Sequence, residues 1–293
     1  MAKAAPLSYS PLRRTAEQAA ARFPALLAEA EQAAASIAHG VHGRRRAGSG
    51  ETFWEYRHHR PEDGARAVDW RRSARGDHLY VRETEWEAAN AVYLWRDASA
   101  GMAAASRGLP AKRDRAAVCL MAVASLLVRG GERVAALGET GRPRAGRPGL
   151  EIAGRALADG PGDPASVESP DIVRFSQVVL ASDCLDPPET WAARLSAVNA
   201  RGGSGVLLRI IDPAEEDFPF TGRTRFTPPG HGDALVFGRA EDARRRYREI
   251  WAEHSAGVSA AARRAGWTLI THRADRAAAA AVLALYQALE GAR

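Results

Sequence analysis

The sequence predicts an α/β fold on a mainly parallel, doubly wound sheet across residues 91–293, and three observations carry that expectation. Short, nearly continuous apolar runs at residues 91–95, 175–181 and 205–211 read as strands buried on both faces. Between them lie segments long enough for crossover helices, which join neighbouring parallel strands. The first two runs lead into the carboxylates Asp97 and Asp183, and the third into the acidic turn that starts at Asp212. In an open α/β sheet such residues sit at the carboxyl edge, where these folds place their sites.

The elements follow in order. Residues 12–38 carry apolar side chains at helical spacing from Leu12 to Ile37, with Pro24 as a kink and Gly40 and Gly43 past the end. Residues 43–90 change texture to short β-like pieces, with strands at 52–57 and 78–83. After the Asp97 strand come a helix at 112–128 with an Ala/Leu/Val/Met face, a strand at 133–138, a loop at 138–149 and a helix at 150–158. A Gly/Pro-rich loop at 159–171, a helix at 188–200 and a strand at 205–211 follow. Residues 212–220 read as an acidic turn, and 224–227 with 234–237 as a hairpin. A basic helix at 241–264 puts Tyr247, Ile250, Trp251, His254 and Val258 on one face, the spacing of a core stripe. A strand at 266–271 and a helix at 276–289 close the chain. The expected organisation is a helical segment at 1–42, a β-rich region at 43–90 and the α/β domain at 91–293.

Composition narrows the function classes. A hydrophobic content of 46% and a charged content of 26% are those of a globular protein. No apolar run approaches the roughly 20 residues that span a bilayer, and the first residues lack a signal-peptide core, so a cytoplasmic protein is expected. The two cysteines, Cys119 and Cys184, read as buried thiols. The formal charge is +6, nearly all of the cations being arginine. Clusters at Arg44–Arg46, Arg71–Arg75 and Arg244–Arg246 are scattered, without the aromatic interleaving of a base-stacking platform. Nucleic-acid binding through them is the alternative reading. No Gly-x-x-x-x-Gly-Lys-Ser/Thr loop and no Gly-x-Ser-x-Gly elbow is present, and His39, His42, His58 and His59 fit no zinc spacing. The chain is therefore read as non-enzymatic.

The most distinctive block runs from Arg57 to Arg75, where Asp63 and Asp69 alternate with Arg66, Arg71 and Arg75 around Trp70. Guanidinium forks pair carboxylates bidentately and stack on indole, so the block suits an Arg–carboxylate network serving structure or partner binding. Its spacing is also that of a known signature. Arg57, Asp63, Arg66, Asp69, Trp70, Ser73, Ala74 and Arg75 match the pattern of the domain-of-unknown-function 58 family. His59, Glu62 and Val68 stand where that pattern has Tyr, Gly and Ile. The resemblance extends over about residues 43–275. It implies a second half similar to von Willebrand factor A domains, and partnership with MoxR-type AAA+ ATPases and other A-domain proteins.

The Asp97-x-Ser99 spacing likewise resembles the start of the metal-ion-dependent adhesion site of A domains, in which Asp-x-Ser-x-Ser holds magnesium. Here Gly101 takes the place of the second serine, and Asp183 stands where the later Asp belongs. Thr140 lies too close to its strand to supply the pattern's Thr, which leaves Ser166 and Ser169. The resemblance thus implies a degenerate site of Asp97, Ser99 and Asp183 that has lost tight magnesium binding and keeps at most a weak one. The bland reading of a strand-ending Asp is that it caps the following turn. Together these readings give an interaction scaffold that docks a partner at the carboxyl edge.

Overall fold

The computed structural model describes residues 47–48, 52–60, 63–64, 68–74, 76, 78–85, 91–228 and 233–291. The helix expected at 12–38, and with it the segment 1–42, lies outside them. The described residues fall into two compact units, one within Ser36–Asn90 and one from Ala91 onward.

The first unit is a three-stranded antiparallel sheet of β1 (Ala47–Gly48), β2 (Thr52–His58) and β3 (Tyr80–Glu85), in the order β1-β3-β2. A bulge interrupts the β2–β3 register between Phe53 and Glu55. The one-turn helix α1 (Trp70–Ser73) lies between β2 and β3 in the chain. Val68 forms a bridge with Val81, and both are buried.

The second unit is mixed α/β with a mostly parallel sheet. Its strands are β4 (Ala91–Arg96), β5 (Arg133–Ala136), β6 (Arg144–Ala145), β7 (Gln177–Ser182), β8 (Ser204–Ile211) and β11 (Thr268–Arg273). They lie in the order β11-β8-β7-β4-β5-β6, all neighbours parallel except the two-residue edge pair β5–β6. A separate hairpin pairs β9 (Thr224–Phe226) with β10 (Leu235–Phe237).

Side chains alternate across the sheet, as the two-residue period of a strand requires. Val92, Leu94, Val179, Ala181, Leu208 and Ile210 enter one core with α2 (Lys112–Arg129), α3 (Gly146–Asp159) and α8 (Ala278–Gly291). Tyr93, Trp95, Val178, Leu180 and Leu207 enter the other, with α5 (Pro188–Ala200) and α7 (Arg244–Arg264). Short helices α4 (Ala165–Glu168) and α6 (Pro213–Asp217) sit in connections read from sequence as a loop and a turn. Helices thus cover both faces of the sheet.

Three further differences from the sequence reading bear on packing, besides α4, α6, and the strand β6 and first residues of α3 inside the loop expected at 138–149. Helix α2 has no single apolar face: from Ala116 to Leu127 every residue is buried, the pattern of a helix enclosed on all sides. On α7 the stripe read as core holds only in part, since Val258 is buried while Ile250 is 49% exposed. Strand β11 begins two residues later than expected, because Gly266 at φ +73 and Trp267 belong to the turn that leaves α7. Among the described residues no helix is long and apolar enough to cross a membrane.

Candidate functional site

From β4 the chain moves outward to β5 and β6, then returns to the other side of β4 for β7, β8 and β11. The winding therefore reverses between β4 and β7, and the crevice beyond their carboxyl ends is the topological switch point where such sheets place their sites. Asp97 follows β4 and Asp183 follows β7, so the two acids read from the sequence meet there. The Asp97 amide donates to the Ala181 carbonyl at 2.8 Å, which fixes their relative position.

Both acids are almost fully buried, and each closes its own turn. Asp97 accepts from the Ser99 amide at 2.7 Å and from the buried Ser182 hydroxyl at 2.6 Å. Asp183 accepts from the Leu185 amide at 3.2 Å. Its second oxygen accepts from the Lys112 ammonium at 2.9 Å, and the same ammonium also donates to Glu215 on α6. Lys112 is 0% exposed. It occupies the first residue of α2, the positive end of the helix dipole, which disfavours a cation there. The flanking carboxylates offset that cost. Burial raises the pKa of Glu215 above its ordinary value, and the Lys112 charge works against the rise.

The backbone at this edge is held firmly. Cys184 adopts φ 56, a conformation rare for a residue with a side chain and enriched at functional sites. The carbonyls on either side of its amide–Cα unit are engaged, that of Asp183 by Arg209 Nε at 3.3 Å and that of Cys184 by a ring nitrogen of His254 at 2.7 Å. Burial pushes the Cys184 thiol pKa up, and it raises that of Cys119 to about 12, so both are inert packing thiols. On the other flank the buried Arg96 guanidinium donates to the Leu157 and Gly160 carbonyls at the end of α3. The Ser182 hydroxyl is spent on Asp97 rather than on an imidazole. The Ser106 hydroxyl likewise donates to Asp212, at the end of β8, so both serines are bonded to carboxylates.

In the smaller unit the described part of the signature block surrounds α1. Asp69 is the N-cap, accepting from the Arg72 amide at 3.0 Å. The Ser73 hydroxyl donates to the Asp69 carbonyl and accepts from the Tyr80 amide, both at 2.8 Å, which ties α1 to β3. Asp63 accepts from the Arg60 amide at 2.7 Å. Arg57 lies on β2, while Arg66 and Arg75 lie outside the described residues. Trp70, expected at the centre of the network, is 61% exposed.

Both the block and the sheet edge fall inside one family match, since the family described as Protein of unknown function DUF58 matches residues 55–257. The chain belongs to this family. Uncharacterized proteins of Mycobacterium tuberculosis (Rv1480) and Mycobacterium bovis (Mb1516) are each 28% identical to it over 256 residues, covering 82% of this chain and 80% of theirs. Two solved structures are loosely similar in shape. One is an aerotolerance-related membrane protein from Bacteroides fragilis, at TM-score 0.39 and 14% identity; the other is BatB from Bacteroides thetaiotaomicron, at 0.40 and 10%. Each likeness covers 69% of this chain and 98% of the other.

In this DUF58 chain the residue that sequence reading missed is Lys112. The acidic stretch after β8 was also legible only in part, and it proves to be spent internally. Asp212 and Glu215 form a capping box on α6, and Asp212 further accepts from the Ser106 amide at 2.7 Å. Glu216 and Asp217 pair with Arg273 at 2.6 and 3.0 Å. Gly101 is explained by space: a Cβ there would lie 2.7 Å from Asp183 Oδ2. Because Lys112 fixes that oxygen, Gly101→Ser is expected to lower stability by about 1–3 kcal/mol through overpacking. Urea denaturation that leaves the midpoint unchanged would show the carboxylate to be free to move.

Proposed function

We propose that the protein is a non-enzymatic interaction scaffold of the A-domain kind, docking a partner at the carboxyl edge of its sheet and working in the cytoplasm with a MoxR-type AAA+ ATPase. The observation that supports it most is the switch point itself. Two buried, hydrogen-bonded aspartates and a strained but over-determined Cys184 turn form a rigid floor there, whose serine hydroxyls are bonded to carboxylates rather than to an imidazole. Above the floor the rim is open: Ser99, Ala100, Leu185, Asp186 and Pro187 are exposed, Leu185 by 44%. A rigid base carrying exposed apolar and polar loops suits recognition, since little ordering entropy is lost on binding. The smaller unit offers Trp70 as a second exposed anchor, of a residue type enriched at binding hot spots.

The test is affinity capture from native lysate of the source organism, in magnesium and in chelator, with proteins and nucleic acid both identified. An AAA+ ATPase is expected in both conditions and is lost with Leu185→Asp. Trp70→Ala is expected to weaken capture while changing stability by less than about 0.5 kcal/mol, as for an exposed side chain. Recovery of nucleic acid alone, released steeply by salt, would replace this reading with binding through the arginine clusters.

A further inference from the structure

The edge resembles a divalent-cation site from which the cation's place has been taken. Magnesium needs several hard oxygen donors converging on one point and keeps waters around such a set. Here Asp183 Oδ2 and Glu215 Oε1 already converge on the Lys112 ammonium, whose charge repels a second cation, while Asp97 is turned to Ser99 and Ser182. Gly101 supplies no hydroxyl, and a Cβ there would lie 2.7 Å from Asp183 Oδ2, so a side chain at this position requires that carboxylate to shift. No group of three or more His, Cys, Asp or Glu among the described residues is placed to hold a metal ion. The residues present therefore do not fit the magnesium site that the A-domain resemblance implies.

We propose that the Lys112 ammonium is the resident cation of this edge. It joins the loop after β7, through Asp183, to α6, through Glu215, and it reaches them from the first turn of α2. An ion recruited from solution would bridge these elements only when bound, whereas a lysine on the chain bridges them always. The inference deepens the docking reading and rests on it in one respect. With Lys112 wholly buried, no partner atom reaches the cation, so the partner is held by rim side chains and capture does not depend on metal.

The experiment uses the full-length chain without a partner, so its failure is separate from failure of the capture test. Wild type is titrated calorimetrically with magnesium chloride, and its thermal midpoint is compared in magnesium and in chelator at matched ionic strength. No saturable heat and no midpoint shift are expected, whereas a site filled at a hundred times its dissociation constant would raise the midpoint by about 5–10 °C. Saturable binding by wild type that disappears in Asp183→Asn overturns the proposal. In a second arm, Lys112→Ala removes the charge and vacates its space. Its midpoint is expected to fall and to recover in part with millimolar magnesium or manganese but not with sodium chloride. Lys112→Met, which refills the space, is expected to fall without that recovery. An unchanged midpoint in Lys112→Ala, or a fall that neither divalent ion reverses, overturns the substitution of lysine for metal. Should Lys112→Ala fail to fold, the wild-type titration still decides.

Discussion

Lys112→Met will lower the stability of the protein by about 3–5 kcal/mol, the cost of breaking a buried ion pair from one side. Methionine keeps most of the volume, so the loss reports the carboxylates left behind rather than a cavity. Asp183 suffers most, being 5% exposed in its side chain and left with the Leu185 amide alone. Glu215 is 21% exposed and its pKa already lies above the ordinary value, so removing the ammonium lifts it further. A folded-state pKa raised above the unfolded one means the native state binds the proton first. The deficit of Lys112→Met relative to wild type is therefore largest at alkaline pH and shrinks as pH falls through the raised Glu215 value. Lys112→Met combined with Asp183→Asn should recover much of the loss, because the buried charge goes together with its partner. Urea denaturation of the wild type, both single variants and the double variant checks this. Additive single losses would show that the pair is uncoupled and that Lys112 matters only for packing.

What the sequence revealed and what it hid divide along the range of the interactions. Helix α5 was legible at its observed bounds, Pro188–Ala200, because proline at its first turn and the apolar spacing are both local signals. The switch-point aspartates were legible for a similar reason, since each ends an apolar run within a few residues. Lys112 was not. It sits in Pro-Ala-Lys-Arg-Asp-Arg, which reads as a solvated helix start. Its burial is decided by partners 71 and 103 residues away. Helix α6 occupies a middle place: Asp212 followed three residues later by Glu215 is a capping-box spacing, a local signal that could have turned an acidic turn into a helix. Helical spacing on α7 defined a stripe but not what covers it, which is why Ile250 ended exposed. In the smaller unit, alternating Arg and Asp suggested a network around Trp70, yet alternation cannot distinguish a buried indole from one 61% exposed.

Acidification will weaken the fold through His272. This residue of β11 is 4% exposed, and its Nε2 is buried without a hydrogen-bond partner among the described residues. Burial, reinforced by the positive charge of Arg115 and opposed in part by Asp275, lowers its pKa to about 4 from the ordinary 6.5. The folded chain therefore keeps His272 neutral where the unfolded chain is already protonated. The unfolded state binds more protons between those two values, so stability is fully present above about pH 6.5 and is lost as pH falls toward about 4. The full span is on the order of 3 kcal/mol at 1.36 kcal/mol per pKa unit. Glu215 acts in the opposite sense over part of the same range, because its raised pKa favours the protonated native state. The His272 contribution is thus isolated by difference, with stability measured from pH 7.5 to 4.5 for wild type and for His272→Leu. The wild type is expected to lose stability more steeply, so that the gap between the two moves in favour of the variant as pH falls. Parallel curves would mean that the imidazole finds water or a proton acceptor in the folded state and that its burial does not set its charge.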